Sequence, residues 1–168
     1  MSANLPGVAD RTYAKPAVRV APDSRWQNLY GTNDDLRVLA DSWPLHGETS
    51  PAVVSMLETC RNLFVHGYFV YEFLAVAAAW GFLALEAALR EILQAERGPG
   101  SPSLTKLIGM AQAKGLLTSD EAEQLRAGAS LGNRLMHPER QAVDSPGMSA
   151  QALATTFDAI ARLYGNAR

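Results

Sequence analysis

With a single cysteine, Cys60, the chain cannot close a disulfide within itself. Its three histidines, His46, His66 and His137, lie far apart, and no CxxC or HExxH spacing occurs. Neither GxGxxG nor GxxxxGK[ST] occurs, so the usual backbone cradles for nucleotide phosphates are missing as well. No metal and no cofactor is therefore expected. Charge of one sign is also lacking: 15 basic residues against 17 acidic ones give a net charge of −2. A protein that coats nucleic acid through a strongly basic surface is excluded, although a small basic cleft is not.

Long uncharged runs are scarce. The stretch NLFVHGYFVYEFLAVAAAWGFLAL (62–85) resembles a membrane span until Glu72 interrupts it. The run from Phe73 to Leu85 that remains is too short to cross a bilayer, and an ionised carboxylate within a span is costly. A buried central helix is expected there, with no membrane partner. The first residues, MSANLPGVADRTYAKPAVRV, lack an apolar core for a secretory signal, so a cytoplasmic location is expected.

What is present is helical. Of 168 residues, 48% are hydrophobic and 19% charged, which suits one folded domain with a real core. Residues 1–24 carry Pro6, Pro16 and Pro22 with little periodicity and read as an extended or mobile arm. Residues 25–168 read as a single helical domain, with Trp26 and Trp43 anchoring its first segment. A short helix is expected in NDDLRVLADSW, capped near Asn33. The next begins with Ser50 as cap and Pro51 at the first helical position, and Gly67 bends or ends it. A long helix follows from about Phe69 to Arg97 and is stopped by GPGSPS (98–103). Ser103 caps LTKLIGMAQAK, which Gly115 ends. Thr118 and Glu121 form a capping box for a helix reaching about Met136, where Pro138 prevents continuation. Ser149 caps the last helix, whose stripe is Leu153, Phe157, Ile160 and Leu163. No strand pattern is evident. The expected fold is all-α, an up-and-down bundle of about five helices.

Chemistry concentrates in LGNRLMHPE (131–139), which carries Asn133, Arg134 and His137 at the end of the penultimate helix. This segment, together with the helix FVYEFLAVAAAWGFLALEAALREIL, resembles the HEPN superfamily over about residues 50–165. The signature of that superfamily is an Arg, four to six residues, then a His, commonly as Arg-Asn-x-x-x-His. Asn133 and His137 fill the second and last places, while Gly132 stands in the first. The resemblance implies a metal-independent endoribonuclease of the toxin or defence type. It implies RNA as substrate, a homodimer with the cleft at the interface, and an antitoxin or regulatory protein as further partner.

Residue chemistry agrees with such a role. Cleavage by the RNA's own 2′-hydroxyl needs a base near that hydroxyl, an acid near the leaving oxygen and positive charge at the phosphorane. His137 suits the proton transfers, and Asn133 suits holding the histidine or a phosphate oxygen. A guanidinium suits the phosphorane. Gly132 removes it from its usual place, so impaired cleavage is expected. Arg134, three residues before His137, is the candidate to substitute for it. The non-catalytic alternative is a dimerising helical module that binds RNA, a nucleotide or a partner protein.

A second segment, RNLFVH (61–66), satisfies the pattern literally with Arg61, Asn62 and His66. It precedes the long helix, where the superfamily does not place its catalytic pair. The simpler reading is an exposed helix-end charge at Arg61 and a packed or capping His66. Other residues have structural readings too. Gly128 and Gly132 permit close helix approach, within the chain or across a dimer. Cys60 is a packed helix residue, Glu72 a paired or solvated carboxylate, and Glu86, Arg90 and Glu91 a polar helix face. Arg126, Arg134 and Arg140 surround the motif and are candidates to face RNA.

Overall fold

The computed structural model describes residues 21–28, 31–96, 98–135 and 145–166, with residues 27–28 and 131–135 described as backbone alone. A short 3-10 turn, Ser24–Asn28, precedes six helices: α1 (Asn33–Asp41), α2 (Pro51–His66), α3 (Phe73–Leu93), α4 (Leu104–Ala113), α5 (Ser119–Leu135) and α6 (Pro146–Asn166). There is no strand among the described residues. The protein is an all-α bundle, as its periodicity implies.

α3 is the hub and packs against α2, α4, α5 and α6. Its composition explains this position: Ala77, Ala84 and Ala88 are fully buried, and small residues let neighbouring helices approach closely. By length and composition α3 is also apolar enough to cross a bilayer, a property it shares with the core helices of soluble proteins. Leu153, Phe157, Ile160 and Leu163 of α6 form the buried stripe that their spacing predicts.

The caps account for most helix boundaries. The Ser50 hydroxyl accepts from the Val53 N–H, with Pro51 at the first helical position. Thr118 and Glu121 make the reciprocal pair of a capping box at α5: Thr118 N–H donates to Glu121 Oε2 at 2.7 Å, and Glu121 N–H donates to Thr118 Oγ1 at 3.3 Å.

Four boundaries differ from expectation. α1 is capped by Thr32 in a capping box with Asp35, so Asn33 is its first residue, and the Asn33 amide donates to the Val65 carbonyl at 2.9 Å. α3 starts at Phe73 rather than Phe69, because residues 67–72 form a tight turn held by long-range contacts. Gly67 accepts a bond from the Trp26 indole N–H at 2.9 Å, and a Cβ on Gly67 would stand 2.6 Å from Leu74. α3 ends at Leu93 rather than Arg97, because Gln94 turns left-handed and the Ala95 N–H returns to the Arg90 carbonyl at 2.9 Å. α6 starts at Pro146 rather than after Ser149. Ser145 is the residue that caps it, through Met148 N–H at 3.3 Å, and Ser149 lies buried within the helix.

The N-terminal turn is fastened where the two tryptophans were expected to act. Trp26 packs beside Tyr68 and Tyr71, with ring centroids 5.5 and 6.1 Å away. Arg25 bonds Asp23 and Glu72 and lies 4.2 Å over the Tyr71 ring. The Arg25 hydrogen bonds hold the Asp23 carboxyl well below the usual carboxylate range. Trp43 packs on Phe64 and Phe157, both centroids at 5.1 Å.

Cys60 is fully buried, and burial pushes its thiol up to about 12. The thiolate needed for attack is therefore scarce at neutral pH. A disulfide reagent such as dithionitrobenzoate is expected to leave the native protein unmodified and to label one thiol per chain in denaturant. Stoichiometric labelling under native conditions, faster than global unfolding, would contradict this placement.

Candidate functional site

The motif lies at the end of a helix that is fixed at its other end. The capping box at Thr118 starts α5, and Ala122 and Leu125 are buried against the bundle. Gly128 permits a close approach: a Cβ there would stand 2.7 Å from the Phe82 ring tip on α3. That small residue therefore serves packing within the chain. The backbone of α5 continues through Gly132, Asn133 and Arg134 to Leu135, so these positions occupy its last turn. The side chains of Asn133 and Arg134, and all of His137 and Arg140, lie outside the described residues.

One turn before the motif, α5 forms a wall of a groove of about 560 Å³. α3 contributes Ala79, Phe82, Leu83 and Glu86; the start of α4 contributes Ser103, Leu104 and Thr105; α5 contributes Arg126, Ala129 and Ser130. Its volume falls in the range of small-ligand clefts, with an apolar floor and a few polar groups at the rim. Arg126 is braced by donating to Gln112 Oε1 at 2.7 Å. Glu86 receives two bonds from Arg90 on the same oxygen, at 3.0 and 2.7 Å. Of these residues the sequence points only to Arg126 as a candidate to face RNA; Glu86 and Ser103 read there as a helix-face charge and a cap. The others come from three helices that only tertiary packing brings together.

The literal match at residues 61–66 has a different setting. Arg61 is not an exposed helix-end charge: its side chain is 14% exposed and bonds Glu58 Oε1 at 2.7 Å. It also donates to the Trp43 carbonyl and lies 5.2 Å over the Phe157 ring. The Glu58 pair lies within α2, while the other two contacts tie α2 to the α1–α2 connection and to α6. His66 is exposed at the end of α2, beside Phe69.

The expected polar face of α3 also needs correction. Arg90 is buried, and it donates to Glu86 and to the carbonyls of Glu96 and Pro102. Glu91 instead joins three helices. It accepts from the Ser50 hydroxyl at 3.0 Å and from the Tyr164 hydroxyl at 2.5 Å. Burial and the neighbouring carboxylate raise the Tyr164 hydroxyl above its ordinary value. Glu72 is exposed and paired with Arg25 at 2.8 Å. Among the described residues no three His, Cys, Asp or Glu side chains gather as a metal-ligand set.

No protein-family model matches the chain, and comparison with curated proteins and with solved structures finds no match.

Proposed function

We propose that this chain is a HEPN-like endoribonuclease of the toxin or defence type, impaired in cleavage because Gly132 stands where the motif has Arg. One observation carries the reading: Asn133 stands in the last turn of the capped penultimate helix of an all-helical bundle, and His137 follows it in the sequence at the motif's spacing. The substrate would be RNA, and the active form a cytoplasmic homodimer regulated by an antitoxin-like protein. His137 would transfer protons, Asn133 would orient it or hold a phosphate oxygen, and Arg134 would supply what guanidinium charge remains. No bound metal is required for 2′-hydroxyl attack that releases a 5′-hydroxyl and leaves a cyclic phosphate.

Loss of one charge-stabilising donor lowers the rate by about 10²–10³. Gly132→Arg is therefore expected to raise cleavage of single-stranded RNA by that factor in chelator-containing buffer, with products ending in cyclic phosphate. Adding His137→Ala to that variant should abolish the gain. If Gly132→Arg cleaves no faster than the parent, or keeps its gain without His137, the nuclease reading fails. Gly132 itself favours the second reading, a non-catalytic dimerising module. RNA or nucleotide binding without turnover in both variants would support it.

A further inference from the structure

The helix at the centre of the bundle leaves one straight row of side chains uncovered. Glu72, Val76, Trp80, Leu83 and Glu86 recur at three- and four-residue spacing from the cap of α3 onward, and none of them is fully buried. Val76, Trp80 and Leu83 are 36%, 38% and 48% exposed. Three large apolar side chains open in a row on a core helix mark a surface that something covers. A carboxylate stands at each end of the row, and no charge lies between them.

We infer that the cover is this chain's own N-terminal segment, residues 15–20 (KPAVRV), laid extended along α3 from Glu72 toward Glu86. Three features select this occupant. The first is where the chain enters the bundle. The Asp23 N–H donates to the Tyr68 carbonyl at 3.0 Å, and Arg25 donates to Glu72 at 2.8 Å. Residues 23–25 are thus fastened beside the turn that leads into α3, at one end of the uncovered row. A segment tethered there is present at an effective concentration of about millimolar, so a small contact suffices to hold it.

The second feature is spacing. In an extended chain alternate residues share one side and advance about 6.6 Å per pair. At about 1.5 Å per residue, Trp80 lies about 6 Å beyond Val76 on α3, and Leu83 about 4.5 Å further. With Pro22 level with Glu72, Val20 falls at Val76, Val18 at Trp80 and Pro16 just beyond Leu83. All three are apolar, while Ala17 and Arg19 fall on the other side. Pro16 and Pro22 favour extended backbone in the residues before them, which lowers the entropy lost on docking.

The third feature is charge. Arg11, Lys15 and Arg19 against Asp10 leave the first 20 residues with two net positive charges, so the rest of the chain carries −4 of the total of −2. The same register brings Lys15 beside Glu86. One oxygen of Glu86 takes both bonds from Arg90, and the other has no bond among the described residues. Leu83 also lines the groove beside the motif, so the docked segment would form that groove's outer lip.

Trp80 reports on the contact, because Trp26 and Trp43 are buried. In the full chain, Val18→Asp with Val20→Asp should raise acrylamide quenching of tryptophan emission by about twofold and shift that emission to the red. The far-ultraviolet spectrum should not change. The same pair of changes in a Trp80→Phe chain should alter neither quenching nor emission. A cross-link gives a second, independent reading. Pro16→Cys with Leu83→Cys should close a disulfide within one chain on mild oxidation, several-fold faster than Pro16→Cys with Val38→Cys, which is exposed on α1. Cys60 is buried and does not compete. Quenching that the two aspartates leave unchanged overturns the proposal. So does cross-linking to position 38 as fast as to position 83, or a disulfide between two chains rather than within one, which would assign the row to a second copy. Trp80 emission that is open to quencher until phosphatidylcholine vesicles are added would assign the row to a lipid surface and overturn it as well. No step involves RNA, so the outcome is separate from cleavage by Gly132→Arg.

Discussion

Replacing Phe157 with alanine is expected to remove about 3–5 kcal/mol of folding stability, a large share of the ~5–15 kcal/mol typical of a domain. Phe157 has no solvent exposure. Its ring packs on Trp43, with centroids 5.1 Å apart, and the Arg61 guanidinium lies 5.2 Å from its centre. Alanine would therefore leave a cavity where α6 meets α2 and the α1–α2 connection, and would take away the face on which Arg61 rests. Arg61 cannot follow the retreating surface, because Glu58 and the Trp43 carbonyl hold it. Urea unfolding should show a lower midpoint with little change in slope, the signature of lost stability rather than of a changed unfolded state. Phe157→Leu should lose distinctly less, because most of the volume stays filled. An alanine variant within about 1 kcal/mol of the parent would mean that α6 is not packed as described.

Phe157 was identifiable in advance because its spacing from Leu153 and Ile160 admits only one buried face. Local cap chemistry was equally legible: Ser50 before Pro51, Ser103 before Leu104, and Thr118 with Glu121 each act within four residues. Ser145 before Pro146 repeats the Ser50–Pro51 signature and caps α6, whereas Ser149, which also has the composition of a cap, is buried in the helix. Contacts distant in sequence were not legible. The start of α3 depends on Trp26 reaching Gly67, and Arg61 is drawn inward by Trp43 and Phe157, so neither follows from neighbours in the chain. For the candidate site, the position of residues 132–134 in the last turn of α5 follows from the capping box and the helical period. The groove beside that turn does not, because its walls are isolated positions on three helices.

Arg90 shows the same dependence on tertiary contact, and its removal is the second large effect expected. Among Glu86 and Glu91 it reads as one charge of a solvated face, yet it is 9% exposed and donates to three partners. Two bonds go to Glu86, one to the Glu96 carbonyl at 3.2 Å and one to the Pro102 carbonyl at 2.8 Å. The guanidinium thus fixes both ends of the connection from α3 to α4, and its planar fork is what lets one side chain reach all of them. Arg90→Ala leaves two carbonyls without a donor and Glu86 without a cation. Removing one member of a fully buried pair costs about 3–5 kcal/mol. Glu86 is 31% exposed and can recover water, so about 2–3 kcal/mol is expected here. Lysine keeps the charge but offers no fork, and should recover only part of the loss. Hydrogen exchange locates the effect. The amides of Ala95 and Ser101 bond within the connection, to Arg90 and Gly98, and should exchange faster in Arg90→Lys than in the parent, while buried amides of α6 should not. If lysine restores both the unfolding midpoint and the protection of these two amides, charge alone suffices and the fork plays no part. If alanine leaves both unchanged, the connection holds its shape without Arg90, and the wall that Ser103 and Leu104 give the groove is set by α4 alone.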